Sequence, residues 1–219
     1  MGWKLNMVVL KGLEVDTDSL SSLIGFSYGR RKYEAIGKTT LENCLNPKDD
    51  ENLYVGIYKD LRIITEANFP FEFLNDKPSF TEKLSRNLTK GKREMYIFGL
   101  NSIVNLWGYS KINDASRIRT KFGTHDEGVI HEEGEPLKSE IELISNSELN
   151  DGKRVYNYNG NKYNEDQMGE EFVFRIIEEV TGERIDKQNE LIKTEMTIYK
   201  MTEKKGFEDI FQRIRDQQK

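Results

Sequence analysis

The chain has 219 residues, of which 36% are hydrophobic and 11% aromatic, with only 4 prolines. This composition excludes a disordered chain and predicts one domain with a packed core, or one domain with a small appendage. The formal net charge of −5 repels polyanions, so bulk nucleic-acid binding is not expected.

The cysteine content and the apolar runs restrict the class of protein further. Cys44 is the single cysteine, so neither an intramolecular disulfide nor a multi-thiolate metal site is possible. The apolar run that ends at Leu10 is too short for a signal-peptide core, and no stretch has the roughly 18 apolar residues of a membrane span. We therefore expect a cytoplasmic location and no membrane contact.

An apolar strand and a short helix come first in the chain. Residues 4–10 predict a buried strand, and Asp16, Thr17 or Asp18 can cap the helix that follows it. The segment from Thr39 to Glu42 has the spacing of a capping box, which predicts a second short helix.

A tight hairpin and a longer helix come next. Residues 53–58 and 61–65 are two β-rich runs separated by a short polar dipeptide. A second capping box, from Ser79 to Glu82, predicts a helix that ends at Gly91, because glycine readily adopts the left-handed conformation after a helix.

From residue 93 to residue 133 the pattern changes to four short strands with polar turns, which predicts an antiparallel meander. Its aromatic and cationic side chains fit either of two interpretations. They could stack and hold single-stranded nucleic acid, or they could form the inner and outer faces of alternating strands, which the acidity of the chain favours. These side chains are Trp107, Tyr109, Phe122, Arg117, Arg119 and Lys121.

The strongest helical pattern lies late in the chain. A capping box from Asn164 to Gln167 precedes apolar residues at helical spacing, and Gly182 ends the helix. A strand near residues 193–201 and an amphipathic helix with Phe207, Ile210, Phe211 and Ile214 follow.

The elements are grouped by type, which predicts an α+β fold. We expect a mainly antiparallel sheet with a central meander over residues 93–133 and helices packed on it. Residues 1–186 are expected to form the domain, and residues 187–219 a strand–helix appendage packed on the same domain.

Histidines and acidic residues concentrate at the end of the meander. Imidazole and carboxylate groups can ligate metals, but the two histidines lack the i, i+4 spacing of a helical metal site. A solvated turn that contacts a partner fits this pattern better, so we predict no metal. The candidate partner-binding residues are His125, Asp126, Glu127, Glu132, Glu133 and Glu135. His131 belongs to the metal alternative.

The segment from Gly25 to Lys32 combines two glycines with three cations. Phosphate sites usually place backbone N–H groups at a helix N-terminus after a strand. Here the glycines follow a predicted helix and are expected to end it. Arg30, Arg31 and Lys32 remain candidates for anion binding.

Nucleophilic catalysis has no clear candidate. Cys44 lies on the apolar face of its short helix and is expected in the core, and no Gly-x-Ser-x-Gly sequence is present. The paired carboxylates at 170–171 and 178–179 fit the solvated face of the late helix. We predict no catalytic residue and no cofactor.

Three segments together resemble a known pattern. They are 106–111, with Gly108-Tyr109-Ser110; Arg117-Ile118-Arg119; and 128–137, which ends in Gly134-Glu135-Pro136-Leu137. Residues 168–174 and 181–184 extend this pattern. It is similar to that of a family of uncharacterised bacterial proteins, over about residues 96–186. No activity is established for that family, so the resemblance implies no catalytic residue.

Two classes of function remain open. The first is a non-enzymatic cytoplasmic protein that binds a protein partner, for instance an immunity or antitoxin-like protein, since an acidic surface can cover a basic active site. The second is a metal- or phosphate-dependent enzyme that uses the region of His125 and His131, or Arg30 and Arg31. The sequence sets no oligomeric state.

Overall fold

A computed structural model describes residues 2–27, 31–48, 51–68, 78–89 and 93–204. Within these ranges the chain forms a nine-stranded antiparallel sheet, a three-stranded sheet and five helices. The prediction of a mainly antiparallel α+β fold is therefore confirmed.

The strands and helices have the following bounds. In the large sheet, β1 to β8 are Lys4–Lys11, Arg31–Thr40, Asn52–Tyr58, Leu61–Thr65, Glu94–Asn101, Leu106–Asn113, Ser116–Thr124 and Gly128–Glu133, and β12 is Glu195–Lys204. In the small sheet, β9 to β11 are Ser147–Asn150, Lys153–Tyr158 and Asn161–Asn164. The helices α1 to α5 are Thr17–Ser27, Leu41–Cys44, Pro78–Thr89, Lys138–Ser145 and Gly169–Thr181.

The strand order of the large sheet is β2-β12-β3-β4-β1-β5-β6-β7-β8. Strand β1 lies at the centre, where it pairs with β4 and β5. Strands β5 to β8 are neighbours in chain order, but they fill one end of the sheet and β8 forms its edge. Strand β12, from the segment predicted as an appendage, lies between β2 and β3.

Both faces of the large sheet are covered at β1. Met7 and Val9 point to one face, which we call the inner face, where α2, α4 and α5 and the small sheet contribute to the core. Val8 and Leu10 point to the opposite face, where they pack with residues of α1 and α3. Because neither face meets solvent, the strand is a continuous apolar run instead of an alternating one.

Strand β2 was not predicted, and it changes the interpretation of its neighbours. Gly25 lies inside α1 and does not end it: a Cβ there would lie 2.3 Å from the carbonyl oxygen of Arg31, so glycine permits α1 to approach β2. Thr39 belongs to β2, and Thr40 precedes α2 without a side-chain cap.

The later predictions need smaller corrections. The N–H of Asn164 does donate to Gln167 Oε1 over 2.8 Å, but α5 begins only at Gly169. Helix α4 and the small sheet were not predicted. The expected helix end at Gly91 and the last helix, from Phe207 to Ile214, lie outside the described residues.

Each edge strand of the large sheet contains a bulge. Ile36 of β2 has no partner between Ala35 and Gly37, and Ile130 of β8 has none between Val129 and His131. Both isoleucines are exposed, by 59% and 44%. Bulges bend and twist an edge strand, which hinders pairing with another chain.

Gly169 is required by the approach of α5 to the large sheet. A Cβ at this position would lie 2.2 Å from the indole of Trp107, which is 1% exposed and cannot move aside freely. We expect Gly169→Ala to lower the free energy of unfolding by about 1–3 kcal/mol, as overpacked cores do. Gly37→Ala is the control, since its nearest neighbour would be Ile198 Cδ1 at 3.9 Å. Equal urea midpoints for the two variants would contradict this packing.

Cys44 lies in the core, as predicted, with 1% of its surface exposed. Burial raises the pKa of its thiol to about 11. We expect the thiol of the folded protein to react with Ellman's reagent at pH 8 at least about 100-fold more slowly than after unfolding, since the thiolate is the reactive form. A rapid stoichiometric reaction of the folded protein would show that helix α2, which ends at Cys44, opens readily.

Candidate partner-binding site

Arg119 of β7 organises the end of the large sheet that carries the predicted site. Its side chain is 1% exposed and points to the inner face. The guanidinium has five N–H groups, and the geometry supplies acceptors for all of them. Nε and Nη2 bond the Glu140 carboxylate at 3.0 and 2.5 Å, and Nη2 also bonds Glu132 Oε1 at 2.6 Å. Nη1 donates to the carbonyl oxygens of Glu133 and Gly134 at 3.3 and 2.8 Å.

Glu140 connects this cation to α4. It is fully buried, and its Oε2 accepts the N–H of Leu137 over 2.8 Å, which caps the first turn of the helix. Arg119 thus fixes two things at once: the start of α4 and the backbone at the end of β8. Gly134 completes the arrangement, since it has a φ of +79° and a Cβ there would collide with the carbonyl oxygen of Ile118.

Lys121, two residues along β7, extends the buried network toward α5. It is 2% exposed, bonds Glu165 Oε1 at 2.5 Å, and lies 3.6 Å from Glu132 Oε1. Its ammonium also lies over the Phe172 ring, 5.1 Å from the centroid. Tyr156 donates its hydroxyl to the same Glu165 oxygen over 2.8 Å. We call Arg119, Lys121, Glu132, Glu140 and Glu165 the buried charge network.

The network sets the ionisation of the groups around it. Burial opposes ionisation of Glu132, but its hydrogen bond to Arg119 and the charge of Lys121 hold its pKa below the ordinary value. Burial and the neighbouring Glu140 carboxylate raise the pKa of Tyr109 well above its ordinary value. Burial and Glu165 likewise raise the pKa of Tyr156. Both phenols are therefore neutral near pH 7 while Glu132 is charged.

The acidic residues predicted for partner binding lie around the outer edge strand. Asp126 and Glu127 are exposed in the β7–β8 turn, Glu133 ends β8, and Glu135 is exposed just after it. Glu132 belongs to both sets, because its side chain is 44% exposed while it bonds Arg119. We call these five carboxylates the acidic edge.

The two histidines of this region contact different residues. His125 Nδ1 is 2.7 Å from Asp166 Oδ2, which ties the β7–β8 turn to the turn before α5. His131 is stacked on Phe122, with ring centroids 5.6 Å apart, and its Nε2 lies 3.6 Å from Glu133 Oε2. Among the residues that the structure describes, no three His, Cys, Asp or Glu side chains are grouped so as to hold a metal ion.

The candidates for anion binding lie far from this edge, at the other end of the sheet. Arg31 and Lys32 begin β2, and Arg31 is 3.9 Å from Glu66, which is 2% exposed. Arg30 lies outside the described residues. None of the described helices is long and apolar enough to cross a membrane.

The sequence interpretation missed that Arg119 and Lys121 are interior. They share the inner face with Trp107 and Tyr109, as the pairing of Tyr109 with Lys121 shows, so cations and aromatics do not divide between two faces. Glu140 and Glu165 were not singled out either. The one signal in the sequence was spacing. Arg119 and Lys121 are two residues apart, and residues i and i+2 of a strand point to the same face of the sheet.

These features define an α+β protein whose described part carries a buried charge network beneath an acidic edge. Residues 4–147 match the model of DUF6928, a family of unknown function. Since this match covers more than half of the chain, the protein belongs to that family. The expectation of an uncharacterised family is confirmed, although the match begins well before the resemblance at residues 96–186 and ends inside it. No curated protein and no solved structure matches the chain.

The matched segment holds part of the network. Arg119, Glu132 and Glu140 lie inside residues 4–147, whereas Glu165 follows them. The contact of Arg119 with α4 and the end of β8 is thus built entirely from the family segment.

Removing the buried cation should be strongly destabilising. We expect Arg119→Met to lower the free energy of unfolding by about 3–5 kcal/mol, because it leaves the Glu140 carboxylate buried without its partner. The double variant Arg119→Met/Glu140→Leu should be more stable than this single variant, since it buries no unpaired charge. Lys38→Met breaks an exposed pair with Glu195 and should change the value by no more than about 1 kcal/mol. Chemical denaturation of the three variants measures these differences, and a double variant less stable than Arg119→Met would contradict the interpretation.

Proposed function

We propose that this is a non-enzymatic protein that binds a protein partner through its acidic edge. The observation that carries the proposal is the fixed position of that surface. Arg119 bonds the carbonyl oxygens of Glu133 and Gly134 and the side chain of Glu132. The carboxylates of Glu132 and Glu133 therefore project from a backbone that is already in place before a partner arrives.

Preorganisation of this kind favours recognition. A surface that is ordered in the free protein loses less conformational entropy on binding. A buried ionic network is a weak source of stability compared with apolar packing, so its main effect here is positional. The network holds the edge strand and α4 in one arrangement.

The chemistry of the acidic edge specifies the partner. Asp126, Glu127 and Glu135 form no ion pair with any residue in the described part of the chain. Together with Glu132 and Glu133 they present a negative surface on a chain with a net charge of −5. Such a surface attracts a basic protein and speeds its association.

An immunity or antitoxin-like role is the specific form of this proposal. In that role the acidic edge would cover a basic functional site of a toxic partner in the cytoplasm. The alternative of a metal- or phosphate-dependent enzyme gains no comparable support, since His125 and His131 make separate contacts and Arg31 pairs with Glu66.

Neutralising the acidic edge tests the proposal. The edge variant Asp126→Asn/Glu133→Gln/Glu135→Gln removes three charges from it, and the control variant Glu14→Gln/Asp151→Asn/Glu178→Gln removes three from exposed positions elsewhere. A partner captured by the unchanged protein from cells of its source should bind the control with unchanged affinity. We expect it to bind the edge variant at least about tenfold more weakly, which corresponds to about 1.4 kcal/mol.

Two results would contradict the proposal. One is the same dissociation constant for both triple variants, measured by calorimetry with the purified partner. The other is an affinity for the unchanged protein that does not fall as salt is raised from 50 to 300 mM, a range that we choose because charge attraction between exposed groups is screened there.

A further inference from the structure

A cleft of about 690 Å³ lies at the start of β1, on the inner face of the large sheet. Its walls come from three parts of the chain: residues 2–4, residues 42–48 and residues 185–192. Four strand spacings separate β1 from β8, about 20 Å at the usual distance between strands. The cleft is therefore separate from the acidic edge.

Hydrogen bonds between backbone groups hold these walls together. The N–H of Asn6 donates to the carbonyl oxygen of Leu45 over 2.8 Å, and the N–H of Glu42 donates to that of Ile192 over 2.9 Å. Helix α2 is thus fixed both to β1 and to the segment before β12. The cleft is a feature of the packed structure and its volume lies within the range of small-molecule sites.

The floor of the cleft is apolar. Ile185, Ile192 and Leu45 are 0%, 4% and 7% exposed, and they belong to the inner-face core. Trp3 also lines the cleft and meets Phe174 edge to face, with ring centroids 5.4 Å apart. An aliphatic or aromatic ligand fits this site, because binding would remove the ligand's own apolar surface and part of the half-buried Trp3 from water.

The polar lining of the cleft carries an excess of positive charge. Lys4, Lys48 and Lys187 line it, and none of them forms an ion pair with a residue in the described ranges. The acidic residues of the lining are Asp186 and Glu42. Asp186 bonds Arg184 at 2.9 and 3.1 Å, and Arg184 also bonds Glu171. The lining thus holds three lysines against Glu42 and a partly neutralised Asp186.

We propose that the cleft binds a free anionic amphiphile, that is, a small molecule with an apolar body and one carboxylate or phosphate group. The apolar body would lie against Trp3, Leu45 and Ile192, and the anionic group would meet Lys4 and Lys187 at the rim. The chain as a whole has a net negative charge, whereas lysines predominate among the charged residues of the cleft. These lysines would favour an anion over a neutral ligand of the same shape.

A lipid surface is the main competing occupant. The β5–β6 hairpin begins beside Trp3, since the N–H of Ser102 donates to the carbonyl oxygen of Trp3 over 2.9 Å. Its tip exposes Ile103 and Val104 by 70% and 58%. A tryptophan, exposed aliphatic side chains and lysines also occur where proteins touch membranes. The concave shape of the cleft and its buried floor favour a free molecule over a flat surface.

Decanoate and decanol form a matched pair of probes, because they share the apolar chain and differ in charge. Trp3 lines the cleft, whereas Trp107 is 1% exposed in the core, so intrinsic fluorescence reports binding, and calorimetry gives the dissociation constants. We expect saturable binding of decanoate, at least about tenfold tighter than that of decanol, and no binding of acetate.

The variant Lys4→Gln/Lys187→Gln should lose this preference for decanoate while it keeps the affinity for decanol, which also shows that the cleft is folded. The control Lys11→Gln/Lys153→Gln changes two exposed lysines outside the cleft and should behave as the unchanged protein does. Equal affinities for both probes, or a preference that survives the first variant, would overturn the proposal. Binding to vesicles of phosphatidylserine and phosphatidylcholine without binding of free decanoate would also overturn it and assign this end to a lipid surface.

Discussion

A single buried guanidinium sets the geometry of the end of the sheet that carries the acidic edge. Arg119 lies where β7, the end of β8 and the start of α4 meet, and every one of its N–H groups has an acceptor. Without that cation the fully buried carboxylate of Glu140 would lose its charged partner, and unpaired charge at a buried site is very unfavourable. The cation is therefore what allows Glu140 to stay charged where the start of α4 meets the end of β8.

The network also links the core to the surface in a graded way. Glu140 is fully buried, Glu132 is 44% exposed, and Glu135 lies in solvent just beyond Gly134. The acidic residues thus have two roles: Glu140 and Glu132 hold Arg119 in place, and Glu135 presents its charge to solvent. Lys121 bonds Glu165 in the turn before α5, and His125 bonds Asp166 of the same turn.

Sequence patterns recovered the elements that local periodicity determines. The hairpin of β3 and β4 and the strands between residues 94 and 133 follow from apolar and β-branched runs with polar turns. Strand β2 could not be found this way, because it is an edge strand with mostly exposed side chains and lacks an apolar alternation. The position of β12 between β2 and β3 depends on pairing over more than 130 residues of chain. The interior position of Arg119 depends on acids that lie 13 and 21 residues away.

The bulges in β2 and β8 bear on how this molecule meets others. Among the described residues, β2 and β8 each pair with a strand on one side alone, and such an edge can serve as a template on which another chain continues the hydrogen bonding. Here the extra residue at Ile36 or Ile130 interrupts the regular ladder at each border. A further strand could therefore not pair continuously along either edge, and at β8 the side chains, more than the backbone, form the surface that another molecule would meet.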